Sequence, residues 1–306
     1  MAIGAISYFD NDELKIYRGE DFIVSNHIKI HQPTLDEICE YGEKDYYQML
    51  YMLTATPQAL KAQLWDMEPS IDYTKITPYE LFYSTLYMMY SQEQTSIIFG
   101  DLDFRKFQLM KKEDGSVYLQ QDTIIGDIYG DNDKFLYHFT GLLDAAKYVE
   151  CEPIELVQIL SKNDYYNNYI FKNITLDSIE FDEYTYSVIM DYICKSHFIE
   201  RDLRMPANNS TKMILIEDAR EENRRNKMKE YHSTLKNLVS AMVNSEGFKY
   251  NHSNVWDMKI NAFMDSVKRI GKIKNSNLLL QSGYSGFGID LKNVDKKQLD
   301  WLGELE

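Results

Sequence analysis

Hydrophobic and polar positions along the chain change period several times, and each change marks an expected element. Residues 5–9 and 13–17 alternate around Asn11-Asp12, the period-2 pattern of a β-hairpin, and residues 22–30 offer a third strand. After Pro33 the period lengthens. Thr34 and Glu37 form a capping box that starts a helix, with Leu35, Ile38, Cys39, Tyr46, Met49, Leu50 and Leu53 at helical spacing and Gly42 interrupting it. Thr56-Pro57 and Thr77-Pro78 each place a hydroxyl cap before a proline suited to the first helical position. Glu80 completes a second capping box with Thr77, and Tyr79, Phe82, Leu86 and Met89 form one face of the short helix that follows.

From about residue 96 to 130 the pattern returns to strands. Segments 104–112 and 117–121 flank Glu113-Asp114-Gly115-Ser116, where Gly accepts the positive φ of a hairpin turn. Beyond the turn at Gly130-Asp131-Asn132-Asp133, helical spacing is expected through Leu136, Phe139, Leu143, Ala146 and Val149. Pro153 opens another helix, residues 163–168 read as a loop, and Asp182 caps a helix carrying Tyr186, Ile189, Met190 and Ile193. In the last third, residues 217–229 are almost wholly charged and lead into an apolar stripe of Met228, Tyr231, Leu235, Leu238 and Met242. Ser253 is expected to cap a final helix, with Trp256, Ile260, Phe263, Val267 and Ile270 ahead of Gly271. The pattern predicts an α+β fold, predominantly α-helical, with an N-terminal β-hairpin or small sheet, a central β-hairpin insertion and a helical C-terminal third. Three regions follow: 1–102, 103–200 and 201–306. No repeat or Pro/Gly/Ser linker separates them.

Composition narrows the class. With 306 residues, 44% apolar and 13% aromatic, the chain buries a substantial core. No run approaches the ~20 apolar residues of a membrane-spanning helix. Residues 1–10 lack a basic segment followed by an apolar one, so no secretory signal is expected. Cys39, Cys151 and Cys194 stand alone, which fits a reducing compartment, here the cytoplasm. The net charge of −15 divides unevenly, with 34 acidic against 15 basic side chains up to residue 200 and 14 against 18 beyond it. The overall charge argues against non-specific nucleic-acid binding, while the contrast makes two electrostatically distinct parts, read either as a solvated acidic surface with a mixed tail or as surfaces that meet each other or separate partners.

Candidate chemistry is sparse. The histidines, among them His27 and His31 four residues apart, have no metal-binding spacing, and no nucleophile has a legible base beside it. Asp127, Asp131 and Asp133 fail the register of a calcium loop. Gly283, Gly286 and Gly288 make one glycine-rich loop, read as a structural turn because no phosphate-binding lysine or βαβ unit accompanies it. No catalytic residue, cofactor or metal is therefore expected. A partner-binding role falls instead on Arg220, Arg224 and Lys227, which share one helical face, and on the aromatic Tyr284 and Trp301; the interleaved Glu217, Asp218, Glu221 and Glu222 give the charged segment a second reading, a salt-bridged exposed helix. The 24 tyrosines supply large contact areas with polar tips, the chemistry of protein interfaces, although an AT-rich genome also enriches Tyr together with Asn, Ile, Lys and Asp.

Two passages resemble phage proteins of low-GC Gram-positive hosts. One runs from Ile28-Lys29-Ile30 through Pro33-Thr34-Leu35-Asp36-Glu37-Ile38 to Tyr41-Gly42-Glu43. The other comprises Gly283-Tyr284-Ser285-Gly286, Ile289-Asp290-Leu291-Lys292 and Leu299-Asp300-Trp301. Both are similar to virion morphogenesis proteins of the tail assembly chaperone-like type. The resemblance implies a non-enzymatic protein of the host cytoplasm that binds tape-measure or tail-tube subunits. A regulator acting on a host protein or nucleic acid through the C-terminal third, and a structural virion subunit, are the alternatives.

Overall fold

The computed structural model of the chain describes residues 13–25, 27–130, 133–162, 166, 168–285, 288 and 290–305. The first expected strand, residues 5–9, lies outside them. Its expected partner is instead a short helix, α1 (Glu13–Tyr17), which buries only Ile16 and exposes Leu14 and Tyr17. The N-terminal sheet is formed one segment later by β1 (Phe22–Ile23) and β2 (Lys29–Ile30), paired antiparallel with Phe22 opposite Ile30. Thr34 then starts α2 (Leu35–Tyr41) through the expected capping box. Its hydroxyl accepts the Glu37 amide at 3.2 Å, and Glu37 accepts the Thr34 amide at 2.6 Å. Gly42, at φ 103°, breaks this helix from α3 (Glu43–Leu53), a backbone angle that disfavours side chains.

Thr56-Pro57 does not start a helix directly. The Thr56 hydroxyl donates to the Asp202 carbonyl at 2.7 Å, the next residues stay in a turn, and α4 (Lys61–Trp65) follows. At Thr77 the capping box does start α5 (Pro78–Leu81), continued by a π-helical turn over Phe82–Leu86. A further helix, α6 (Gln92–Phe99), occupies the start of the stretch expected to be strands.

The central sheet is larger than the expected hairpin. Strand β3 (Gln108–Lys111) turns at Gly115 into the long β4 (Val117–Tyr129), with Asp114 accepting the Ser116 amide and hydroxyl. Residues Leu136 and Phe139, expected on a helix, lie on β5 (Phe135–Phe139), and the helix begins afterwards as α7 (Leu142–Tyr148). Then come α8 (Pro153–Lys162) and β6 (Ile170–Phe181), a strand the hydropathy pattern did not reveal. β6 pairs antiparallel along one side of β4, while β3 and β5 share the other side.

This ribbon joins two cores. Leu119 of β4 and its partner Phe181 belong to the principal core, whereas Ile128 and its partner Phe171 pack with Phe139, Ala145, Ala146, Val149 and Leu156 in a second. Side chains alternate faces along a strand, so Leu119 and Ile128 point to opposite faces of β4. The ribbon therefore carries one core on each face, at opposite ends. Between them the register shifts at Asn173, which takes φ 53°, a bulge that bends the ribbon.

Asp182 caps α9 (Glu183–His197) as expected, accepting the Thr185 amide at 2.8 Å. The charged segment and the apolar stripe that follow are two helices, α10 (Asn209–Lys227) and α11 (Thr234–Val243), the second capped by Ser233. Met228 falls in the break between them and is 87% exposed, so it is not a core residue. Ser253 does not cap a helix. A 3-10 turn at Val255–Asp257 precedes α12 (Ile260–Tyr284), which passes straight through Gly271, and a short α13 (Lys296–Leu299) follows. The principal core draws on residues from Ile16 to Phe263, so all three expected regions contribute to it.

Candidate partner-binding surface

The expected basic face of α10 is not a unit. Arg220 reaches back to α4, donating to both carboxylate oxygens of Asp66, and also pairs with Glu217 at 2.9 Å. The Arg220 hydrogen bond holds the Asp66 carboxyl below its usual range. About two turns earlier, Lys212 donates to Asp72 at 2.9 Å and lies 5.2 Å from the Trp65 ring centroid. These contacts strap α10 to residues 65–72. Arg224 and Lys227 stay exposed, and Arg225 pairs with Glu221 at 2.9 Å. Arg220 is thus a structural residue, while Arg224 and Lys227 face solvent.

Tyr284 and Trp301 belong to one substructure but lie at opposite ends of it, Trp301 held beside Arg269 and Tyr284 ending α12. α12 outruns the principal core, and the chain reverses beyond Tyr284 to run back along its distal half. Gly283 lets the Leu291 side chain close onto the helix where a Cβ would collide. The return is then fixed by donors on α12: Ser276 Oγ to the Leu299 carbonyl at 2.9 Å, and Arg269 Nη1 to those of Trp301 at 2.7 Å and Gly303 at 2.8 Å. Lys272 likewise donates to the Glu304 carbonyl. Polar side chains therefore satisfy backbone oxygens that no helix or sheet pairs. The apolar ones are left outside: Leu278 is 65% exposed, Tyr284 82%, Trp301 46% and Leu302 72%. An open cleft of about 500 Å³ lies between α12 and the return, lined by Lys268, Lys272, Asp295, Lys297 and Asp300. Gly286 and Phe287 of the turn lie outside the described residues.

A second cleft, of about 300 Å³, was not legible in the sequence. It gathers Tyr79, Tyr83, Tyr118 and Tyr184 with Asp182 and Glu183 from three separated segments. Tyr79 anchors it, donating to the Phe181 carbonyl at 2.9 Å. Burial, together with the charges of Asp182 and Glu183, pushes the Tyr79 hydroxyl well up.

The histidines diverge. His197 is buried, its Nδ1–H donating to the Ile193 carbonyl at 2.8 Å while Tyr46 donates to Nε2. Burial pushes its pKa down to about 4, so the ring is neutral and structural. His27 turns to Asp177 and His31 to Asp21 and Glu37. Among the described residues no three His, Cys, Asp or Glu side chains stand where they could hold a metal ion. None of the described helices is long and apolar enough to cross a membrane.

The geometry defines an α+β protein that presents a helical hairpin with apolar side chains on its outside. Residues 225–306, which contain that hairpin, match the family model of the YomV second domain. YomV is a prophage-encoded protein of Bacillus, so this part of the chain is similar to a domain of phage origin. The match begins at the last turn of α10, and it includes Lys227, Tyr284 and Trp301 but neither Arg220 nor Arg224. It has no separate core here, since Leu235, Val239, Met242, Ile260 and Phe263 pack into the principal one. No curated protein and no solved structure matches the chain.

Proposed function

We propose that the protein is a non-enzymatic phage morphogenesis factor that acts by binding, as a tail assembly chaperone, with the C-terminal hairpin as its contact surface. The observation that carries this reading is the outward display of Leu278, Tyr284, Trp301 and Leu302 within the region that matches a prophage protein domain. Exposed apolar and aromatic side chains mark protein contacts, because each loses its water shell on docking. The partner class is the apolar helical or tube-forming subunit of a growing tail, whose own apolar surface needs cover before assembly. The acidic part up to residue 200, with 34 acidic against 15 basic side chains, keeps the complex in solution, while the hairpin itself lies in the mildly basic part.

Co-expression with tape-measure and tail-tube subunits of the same phage tests the proposal. The expected result is a soluble complex, lost by at least about tenfold in affinity when Tyr284→Ser and Leu302→Glu are combined. Purified particles should lack the protein. Recovery of neither subunit, or equal recovery with the double variant, would reject the assignment. A salt-dependent shift with DNA or RNA would favour the regulator reading instead.

A further inference from the structure

His27 and His31 lie at the two ends of the β1–β2 turn and its exit, and each offers both ring nitrogens to acceptors. At His27, Nδ1 is 3.1 Å from the Thr140 carbonyl oxygen and Nε2 is 2.7 Å from Asp177 Oδ2. At His31, Nδ1 is 2.7 Å from Asp21 Oδ1 and Nε2 is 3.2 Å from Glu37 Oε1. Carbonyls and ionised carboxylates only accept hydrogen bonds, and neutral imidazole carries one N–H and one lone pair. A neutral ring at either position makes one bond and turns its lone pair on the other acceptor. Both sites are complete only with the imidazolium, whose two nitrogens both donate.

The charges around the rings fit that state. Asp21 also receives Lys29 at 2.7 Å, and Glu37 has Lys259 at 3.9 Å. Cations and anions then alternate through Lys29, Asp21, His31, Glu37 and Lys259, from β2 to α2 and the start of α12. His27 faces Asp177 of β6 and the carbonyl that follows β5, and its own amide donates to Ser25 Oγ at 3.3 Å. Burial acts to raise the Asp21 carboxyl, but hydrogen bonds from Lys29 and His31 outweigh it and hold it below the usual range. Hydrogen bonds from the Ser178 amide and from His27 hold Asp177 low as well.

We propose that His27 and His31 form a proton-dependent latch, in which protonated His27 clamps the β1–β2 pair to the central sheet and protonated His31 clamps it to α2. Loss of either ring proton removes one of two bonds and sets a lone pair against an acceptor, so the β1–β2 pair loosens as pH rises. The latch holds together the helical body, the sheet that leads to the second core, and the start of α12. It thereby gives the contact between the two cores a dependence on pH.

Hydrogen exchange of the whole protein, followed in peptides covering residues 20–33, tests this at about pH 5.5 and about pH 8.5. Protection factors, corrected for intrinsic exchange, are expected to be about tenfold lower at the higher pH, a loss of the size that one charged hydrogen bond confers. The His27→Gln, His31→Gln double variant should show low protection at both. Unchanged wild-type protection, or a double variant with the wild-type response, would overturn the latch. Ring ¹⁵N spectra of the unmodified protein give an independent reading. Both nitrogens of His27 and His31 should be protonated at about pH 5.5, and a lone pair on either ring there would sink the proposal whatever the variants do.

Discussion

Tyr46 and His197 come from α3 and the end of α9 and meet in the principal core, where the phenol donates to a ring that must stay neutral. Because burial lowers the pKa of His197 to about 4 from 6.5, the unfolded chain takes up the proton first as pH falls. Stability is therefore complete above about pH 6.5 and declines towards pH 4, by roughly 3 kcal/mol if the whole shift is expressed. Urea unfolding followed across that range should show this decline in the wild-type chain and a much shallower one in His197→Gln. An equal slope in both would mean that the ring is not held neutral. In sequence, His197 was one of six indistinguishable histidines. Its role depends on enclosure by residues about 150 positions away, which no local pattern records.

At the scale of elements, local chemistry was read best where a side chain bonds its own backbone. The capping boxes at Thr34 and Thr77, the Asp182 cap and the Asp114-Gly115 turn all form where the residues predict them. Thr34→Ala and Thr77→Ala should each cost about 1 kcal/mol in thermal or urea unfolding, because each strands an amide donor at a helix start. Periodicity was less decisive. Leu136 and Phe139 fit a helical stripe, yet they lie on β5, where Phe139 covers Gly126 so closely that a Cβ there would meet its ring at 2.7 Å. β6 escaped notice because it is half-exposed on most positions, its apolar residues being divided between two cores on opposite faces. A strand that changes its buried face midway shows no single alternation.

The whole molecule places the C-terminal hairpin beyond the principal core, held by the close approach of Leu291 to Gly283 and by bonds from α12 to the returning backbone. Gly283→Ala should spring that return, since the methyl group would occupy the space taken by Leu291. The expected outcome is rapid proteolysis within residues 285–305 with the main unfolding transition unchanged, because the residues of α12 that pack against the principal core end at Ile270. A variant as resistant as the wild type would show that the return does not depend on this close approach. If Tyr284 and Leu302 form the contact surface, the same change should also weaken partner capture.

Sequence by itself determined the α+β class, the helix caps, the hairpin turn and the presence of Tyr284 and Trp301 in a segment resembling phage proteins. These rest on interactions within a few residues, or on composition, and need no knowledge of the fold. Only the tertiary structure decided that Arg220 is committed to Asp66, that one ribbon serves two cores, and that Tyr284 and Trp301 share a hairpin. It also brought His27 and His31 to acceptors on both sides. Those outcomes depend on which distant segments close upon one another, a choice made by burial of apolar surface across the entire chain.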